Sequence, residues 1–347
     1  MAEYRKVFEI KSKFKNYRIE EFHDFNLFLD HAQSFDLIIV DKSLKSYFQT
    51  APRITYLECT EKTKSWEGLK VIFDIFVTNN LTRKSKVLIV GGGVLQDSVS
   101  FCCSVFNRGI EFEFAPSTLL AMVDSCIGGK TSINYGKLKN KLGNFYPPNK
   151  IHIVSNFIST LPLVEIYSGL GEIFKFHVLQ FNYERLGDNL ANPRLISNDL
   201  IFECLRFKAS IIQIDEFDQG SRLTLNFGHT FGHAIESMAS FRVPHGIGVV
   251  LGITIANEIG FQMGMIAEKT KLNIEKYAKE FLLLVTWDKA WFDFKEVLLK
   301  IKMDKKNLDT IRMILLDEPG QRFVLKTVDN DLMEKSMNQI IERLKLV

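Results

Sequence analysis

Histidines carry the sharpest chemical signal in the chain. His229 and His233 stand four residues apart in Asn226-Phe-Gly-His-Thr-Phe-Gly-His-Ala-Ile-Glu236, so on a helix they share one face at a metal-ligand spacing. His245 follows in Pro-His-Gly, which reads as a rigid turn, and three of the seven histidines thus fall within about 17 residues, each beside a glycine. A lone helical histidine is ordinarily structural, but three so placed read as a metal site, and the glycines leave room for something to approach closely. The five cysteines (Cys59, Cys102, Cys103, Cys126, Cys204) form no CxxC pair and no even framework. They read as free thiols of a reducing compartment, which leaves any metal to histidine and carboxylate. Glu172 and Lys175, three apart in Ser-Gly-Leu-Gly-Glu-Ile-Phe-Lys, have two readings. One is a surface ion pair; the other is a buried carboxylate ligand with the lysine aimed at substrate. Two histidines and one carboxylate would leave coordination positions open for substrate oxygens.

A second group of residues suits anions. Gly91-Gly92-Gly93 follows an apolar run and opens a helical pattern, where glycine lets the backbone approach a pyrophosphate at a helix N-terminus. The spacing is not GxGxxG, so a plain strand-to-helix turn fits as well. Asp41 ends the preceding apolar run, placed either to take ribose hydroxyls or to cap a helix. Asp124-Ser-Cys-Ile-Gly-Gly-Lys130-Thr131, with Asn134, Lys139 and Asn140, suits a loop wrapped around an anion or a solvated charged loop. Lys208, Arg222 and Asp304-Lys305-Lys306-Asn307 would each pass singly for surface charge. Arg222 stands seven before His229, so it shares that side of the helix if the helix extends back so far, as a phosphate or carboxylate clamp.

The elements that must position these residues form an α/β half and a helical half. Leu37–Val40 and Lys86–Val90 read as buried strands, Ser65–Asn79 as a helix with Trp66, Leu69, Ile72, Phe73 and Phe76 on one face, about 97–107 as a helix and Ile110–Phe114 as a strand. Strand, helix, strand, glycine turn, helix is the pattern of a parallel α/β sheet. Amphipathic stretches then dominate, at about 163–180, 198–214, 226–240, 246–264, 270–284 and 292–302, with a small hairpin from Ile311–Leu316 to Phe323–Leu325 around Pro319-Gly320. The boundary falls near residues 155–162, giving domains 1–160 and 161–347. The 347 residues, 46% of them apolar and 24% charged, suit two packed globular domains. A net charge of +3 gives no argument for nucleic acid. The start lacks the apolar core of a signal peptide, and Ile247–Ala256, the best membrane candidate, is short and flanked or broken by Gly246, Gly248 and Gly252. The 29 phenylalanines read as core filler.

Taken together the motifs resemble those of the sugar-phosphate cyclases, and most nearly the 3-dehydroquinate synthase family. The resemblance runs from about Glu61 to the C-terminus, through GGGVxxD at Gly91–Asp97, Arg108-Gly109, Pro116-Ser-Thr-Leu-Leu, VDSxxGGKTxxN at Val123–Asn134, Lys139-Asn140 and Thr160-Leu-Pro. It continues through SGLxE at Ser168–Glu172, Asp215-Glu216, GxRxxLNxGHTFGHAIE at Gly220–Glu236 and Asp304-Lys305-Lys306. It implies a Rossmann-like N-terminal domain and a mostly helical, metal-binding C-terminal domain. It places the metal, Zn2+ or Co2+, on Glu172, His229 and His245, and gives His233 to the substrate. Asp124, Lys130, Asn140, Lys175, Lys208, Arg222, Asn226 and one of Lys305 or Lys306 would surround the substrate. Arg108 would reach the site of a neighbouring subunit, which implies a homodimer. NAD would touch Asp41, Glu61, Lys64, the turn Gly91, Gly92, Gly93 with Asp97, then Ser117, Thr118, Lys139, Thr160 and Glu165.

The implied activity is that of a phosphate-eliminating lyase of the shikimate pathway in the cytoplasm. It acts on the sugar phosphate 3-deoxy-D-arabino-heptulosonate 7-phosphate through transient oxidation by NAD, phosphate elimination, reduction and intramolecular aldol closure. The chain departs from the family pattern at Gln96, where glycine is usual and where a side chain would crowd the pyrophosphate turn, and at Tyr135–Lys139. Lys141–Pro148 resembles cyclases of specialised pathways that act on sedoheptulose 7-phosphate, whereas Asn226, His233 and Arg222 favour the dehydroquinate precursor. A metal-dependent polyol dehydrogenase shares the two-domain plan and the histidine spacing, but has no need of so many cations together.

Overall fold

In the computed structural model, which describes residues 4–48, 53–136, 138–304 and 310–347, both apolar runs of the first half are strands. The chain opens with β1 (Tyr4–Ile10), β2 (Tyr17–Phe22), α1 (Phe25–Ala32), β3 (Leu37–Asp41), β4 (Ile54–Leu57), α2 (Trp66–Thr78) and β5 (Lys86–Gly91). It continues with α3 (Gly93–Val105), β6 (Glu111–Pro116), β7 (Lys130–Tyr135), β8 (Leu138–Phe145) and β9 (Lys150–Ile153). Then come α4 (Leu163–Leu179), α5 (Asn198–Ile214), α6 (His229–Met238), α7 (His245–Gln262), α8 (Glu268–Leu282), α9 (Phe294–Asp304), β10 (Ile311–Asp317), β11 (Arg322–Val328) and α10 (Asn330–Leu344).

Two compact units result, residues 1–161 with 198–216, and residues 162–197 with 217–347. In the first, seven strands run in the order β1-β2-β9-β6-β5-β3-β4, antiparallel at β1–β2 and parallel elsewhere. Leu37–Val40 and Val87–Val90 are wholly buried, as strands of a parallel sheet covered on both faces must be. Asp41, Gly91 and Pro116 end three neighbouring parallel strands, the edge of such a sheet at which ligands bind. The segment 124–140 is not a loop throughout: β7 and β8 pair as an antiparallel hairpin.

The helix α5, placed by its sequence position in the helical half, belongs with the first unit. Its buried face (Leu200, Ile201, Phe202, Cys204, Leu205, Ala209) explains why. Phe202 packs edge-on against Phe8, Asn198 binds Glu21, and Gln213 accepts from the Lys11 amide at 2.9 Å.

In the second unit α7 is buried from Gly246 to Gly260 and packs against α4, α6, α8, α10 and β10. The stretch weighed as a membrane candidate is therefore a central core helix, apolar all round. No helix among the described residues is long and apolar enough to cross a membrane. Glycines set the crossings. A Cβ on Gly246 would lie 1.8 Å from the Ser168 carbonyl oxygen, and one on Gly171 would lie 2.3 Å from that of Gly246, so α4 and α7 touch backbone to backbone. Gly252 meets the Gly228 carbonyl oxygen in the same way, at 1.8 Å. What approaches the histidine helix through its glycines is thus α7. The β10–β11 hairpin forms as expected around Pro319-Gly320.

Charge ties α7 to α8 and α10. Glu258, 3% exposed, accepts from Lys271 at 3.1 Å and from Arg343 at 2.6 Å, and Arg343 also grips both oxygens of Glu275 at 2.8 Å. Burial would push the Glu258 carboxyl up, but the Arg343 and Lys271 contacts outweigh it and hold the group below the usual carboxylate range. Arg343→Ala leaves two buried carboxylates to one lysine and is expected to cost about 2–3 kcal/mol in denaturant melts, discounted because the guanidinium is partly exposed. A depressed folded pKa contributes stability above the unfolded value and loses it as pH falls. The gap between wild type and Arg343→Ala should therefore be full at pH 7 and narrow below about pH 4. Gly246→Ala, which must force α4 from α7, is expected to lose about 3 kcal/mol or more in the same assay.

Candidate functional site

The second unit holds the histidines. Pro244 caps α7, so His245 is the first helical residue, not part of a turn. Gly228, left-handed at φ 81°, caps α6 at His229. The helix does not extend back to Arg222, which lies buried in a separate turn over Ser221–Asn226, with Asn226 exposed at its end. Glu172 and Lys175 sit on α4 at 0% and 1% exposure, so the surface ion pair reading falls. The pair forms, with the Lys175 ammonium against Glu172 Oε2, but inside a helix buried continuously from Ile166 to Leu179.

The imidazoles converge on that carboxylate. His245 Nε2 lies 3.3 Å and His229 Nε2 3.7 Å from Glu172 Oε1. Their other nitrogens are engaged: His245 Nδ1 with Glu236 Oε1 at 3.0 Å, and His229 Nδ1 with the Phe227 carbonyl oxygen at 3.1 Å. Carboxylate or carbonyl on the far nitrogen is how ligating histidines are held. Neither Glu172 oxygen makes a hydrogen bond of good geometry, although both are buried. A carboxylate so placed fits a cation. His229, His233 and His245 also offer ligand atoms within 4.8 Å of one another. The orphaned carboxylate favours the set Glu172, His229 and His245, with His233 beside it, its ring 5.0 Å from that of His229.

Burial and neighbouring charges shift all three groups. Burial would raise the Glu172 carboxyl, but Lys175 and His245 hold it at about 2. Burial would lower His245, but Glu236 and Glu172 on its two nitrogens push it up to about 10. Burial, aided by the Lys175 charge, lowers His229 well below the ordinary value. In the first turn of α4, burial raises the Glu165 carboxyl.

The first unit gathers the expected nucleotide and substrate residues into three groups. At the glycine turn, a Cβ on Gly91 would lie 3.5 Å from the Asp41 Cβ, and one on Gly92 would lie 3.1 Å from the Thr118 methyl. Asp41 caps the following turn through Ser43 N at 2.9 Å, the structural role foreseen as its alternative. Ser117 is buried and its amide binds the Gly91 carbonyl oxygen at 2.9 Å. Thr160 accepts from the Tyr47 hydroxyl at 3.3 Å.

In the second group, Lys64 is buried and reaches Asp97 at 2.7 Å, Ser132 at 3.2 Å and the Asn140 amide oxygen. Glu61 accepts from Asn134 at 2.8 Å and pairs with Lys139 at 3.2 Å. Burial raises the Asp97 carboxyl against the pull of Lys64, whereas Asn134, Lys139 and Lys64 overcome burial and lower Glu61. In the third group, Lys208 on α5 lies 3.0 Å from Asp124 Oδ1 and donates to the Asp124 carbonyl oxygen at 2.6 Å.

The Gln96 side chain turns away from the glycine turn. It is buried, donates to the Ser125 carbonyl oxygen at 3.1 Å and accepts from the Ser125 hydroxyl at 3.3 Å. Lys130 is exposed at the start of β7, and Arg108 is exposed in a left-handed conformation at φ 63°. Lys305 and Lys306 lie outside the described residues. Sequence reasoning missed Glu236, Ser125 and Ser132. Glu236 left a trace there at the end of the histidine motif, and Ser125 as the serine of VDSxxGGKTxxN.

Residues 54–168 match the family model for the 3-dehydroquinate synthase N-terminal region, and residues 169–307 that for its C-terminal region. The chain is similar to the 3-dehydroquinate synthase of Alkaliphilus metalliredigens, 35% identical over 289 residues that cover 78% of this chain and 80% of the relative. It is similar also to that of Thermococcus kodakarensis, 36% identical over 279 residues that cover 80% and 78%. Among solved structures it is similar to a 2-deoxy-scyllo-inosose synthase complexed with carbaglucose-6-phosphate, NAD+ and Co2+. That likeness has a TM-score of 0.84 over 96% of this chain and all of that one, at 20% identity, a likeness of fold. With both halves of the family matched in order and about four-fifths of each relative covered, the chain belongs to the 3-dehydroquinate synthase family.

Proposed function

We propose that the chain catalyses the 3-dehydroquinate synthase reaction, converting 3-deoxy-D-arabino-heptulosonate 7-phosphate to 3-dehydroquinate and phosphate, with NAD and a divalent metal, Zn2+ or Co2+. The observation that carries this reading is the buried Glu172 carboxylate, which makes no hydrogen bond of good geometry and faces two histidine Nε2 atoms in a chain of this family. Glu172, His229 and His245 would hold the metal. Asp41, Glu61, Lys64, the glycine turn with Asp97, Ser117, Thr118, Lys139, Thr160 and Glu165 would hold NAD. When bound, the metal supplies a Lewis acid for substrate hydroxyls, and NAD a hydride acceptor restored within each turnover.

The protein's own groups set geometry and field. Glu236 and the Phe227 carbonyl orient the imidazoles, and Lys175 keeps the Glu172 carboxylate ionised. Lys208 fixes Asp124 by side chain and main chain together. Arg222 offers a planar guanidinium for bidentate capture of phosphate or carboxylate. Lys130, Asn140, Asn226, His233 and one of Lys305 or Lys306 complete the substrate set. A homodimer in which Arg108 serves the neighbouring subunit is the assembly we favour, supported by the exposure of Arg108. A reducing, cytoplasmic setting is supported by five cysteines that form no disulfide among the described residues.

His245→Ala is expected to lose bound metal and more than ~100-fold in turnover together, whereas His233→Ala should keep its metal and lose turnover. Metal analysis and steady-state kinetics on the same preparations check this; loss of metal from His233→Ala would move the ligand set to the three histidines. Cofactor accounting tests the reaction itself. Phosphate should accumulate far beyond the NAD+ supplied, with no lasting NADH absorbance. NADH formed in proportion to substrate, without phosphate, would make the chain a polyol dehydrogenase. Release from sedoheptulose 7-phosphate alone would move it to a specialised pathway. Arg222→Ala should raise KM for the heptulosonate phosphate by the equivalent of about 2–4 kcal/mol with metal content unchanged.

A further inference from the structure

The sheet of the first unit carries a second cluster of metal-binding groups, made of residues that the motifs do not include. Neighbouring strands β2, β9 and β6 put Glu20 directly beside His152 in register, and Phe114 beside Ile151. Strand alternation then sets Glu20, His152 and Glu113 on one face. The helix α1 brings His31 to the same place. His31 Nε2 and His152 Nε2 lie 3.2 Å and 2.6 Å from one and the same oxygen, Glu113 Oε2. The three ligand atoms fall within 4.8 Å of one another.

We propose that His31, Glu113 and His152 form a second, structural site for a divalent cation of the zinc type, which fastens α1 to the sheet. Two imidazoles and a carboxylate are three of the four ligands a zinc-type ion takes, with bonds of ~2.0–2.2 Å that leave ligand atoms ~3.4 Å apart and the fourth position to water on the exposed side. The present contacts have to open by less than ~1 Å to admit it. An independent feature points the same way. His152 has no exposed surface and its Nδ1 makes no hydrogen bond, while Glu20 Oε2 stands 3.9 Å from that nitrogen. A carboxylate on that side of the ring is placed to take the Nδ1 hydrogen once the ring shifts toward it, the support that metal-ligating histidines have. Glu20, 3% exposed, is itself held by Lys150 at 3.2 Å.

The surroundings are apolar. The Phe22 ring lies 5.3 Å from that of His152 and 5.6 Å from that of His31, and Phe35 lies 5.3 Å from His31. A polar cluster in such a setting is costly unless fully compensated. Access is from one side, where the His31 and Glu113 side chains keep 23% and 13% of their surface. The proposal does not depend on the catalytic reading, since the cluster shares no residue with it.

Full-length protein stripped with a chelator, reloaded with Zn2+ and dialysed should carry two ions per chain by elemental analysis. His31→Ala and His245→Ala should each carry one, and the double variant none, with turnover kept in His31→Ala. His31→Gln, which preserves bulk at a partly exposed position, repeats the test without a cavity. In His245→Ala protein, Co2+ should give the visible absorption of a low-symmetry site, and Zn2+ should raise Tm. Both effects should vanish in the double variant. Equal ion content in wild type and His31→Ala, or identical Co2+ spectra and Zn2+-dependent Tm in His245→Ala and the double variant, overturns the proposal.

Discussion

A carboxylate with no exposed surface and no well-formed hydrogen bond has to be held by charge, and Glu172 is held so from several directions at once. Lys175 meets one oxygen, and His245 and His229 face the other. The residues come from α4, α6 and α7, so the site exists only where these helices lie closer than ordinary side chains allow. Gly171 with Gly246, and Gly228 with Gly252, supply that closeness by letting main chain meet main chain. The glycines beside the histidines therefore act on the site without touching a ligand: they set the helix separation that makes the imidazoles converge.

The first unit solves a different problem, that of holding polar groups at the end of a parallel sheet. Asp41, Gly91 and Pro116 finish adjacent strands, where backbone amides are released from the ladder and become available. Behind them Lys64 bonds Asp97, Ser132 and Asn140, joining a short turn, α3 and the β7–β8 hairpin. Here the polar residues satisfy one another, in contrast to Glu172. A mutually satisfied network is rigid, and it ties the turn, α3 and the hairpin into one unit.

The parallel sheet was legible because Leu37–Val40 and Val87–Val90 are uninterrupted apolar runs, as strands covered on both faces have to be. The outlying strands were not. Tyr4–Ile10 and Tyr17–Phe22 mix charge with apolar residues, and β8 is almost wholly exposed, so none of the three shows clean alternation. Spacing could not separate a surface from a buried Glu172–Lys175 pair, because the three-residue offset is the same in both; the burial of α4 on all sides decides it. Amphipathic period showed that α5 packs, but not against what. The helix read from about residue 226 begins at His229, because the left-handed Gly228 interrupts it, and spacing alone does not reveal that conformation. His31, Glu113 and His152 are solitary in the sequence, and only the order β2-β9-β6 brings them together.

Gln96 shows how a departure from a family pattern can be absorbed. A glutamine on the first turn of α3 threatens the glycine turn only if its side chain points toward it. Its amide instead donates to the Ser125 carbonyl oxygen and accepts from the Ser125 hydroxyl, so both ends are satisfied within the 121–125 turn. That turn also carries Asp124, which Lys208 holds from α5. An added side chain with unmet polar groups would have destabilised the buried turn by about 1–3 kcal/mol. With both groups met, it fastens Ser125 to α3 and leaves Asp124 fixed from two sides. The neighbourhood of Gly91, Gly92 and Gly93 is left to Leu95, Asp41, Thr118 and Ser125, so the glutamine side chain does not enter the glycine turn.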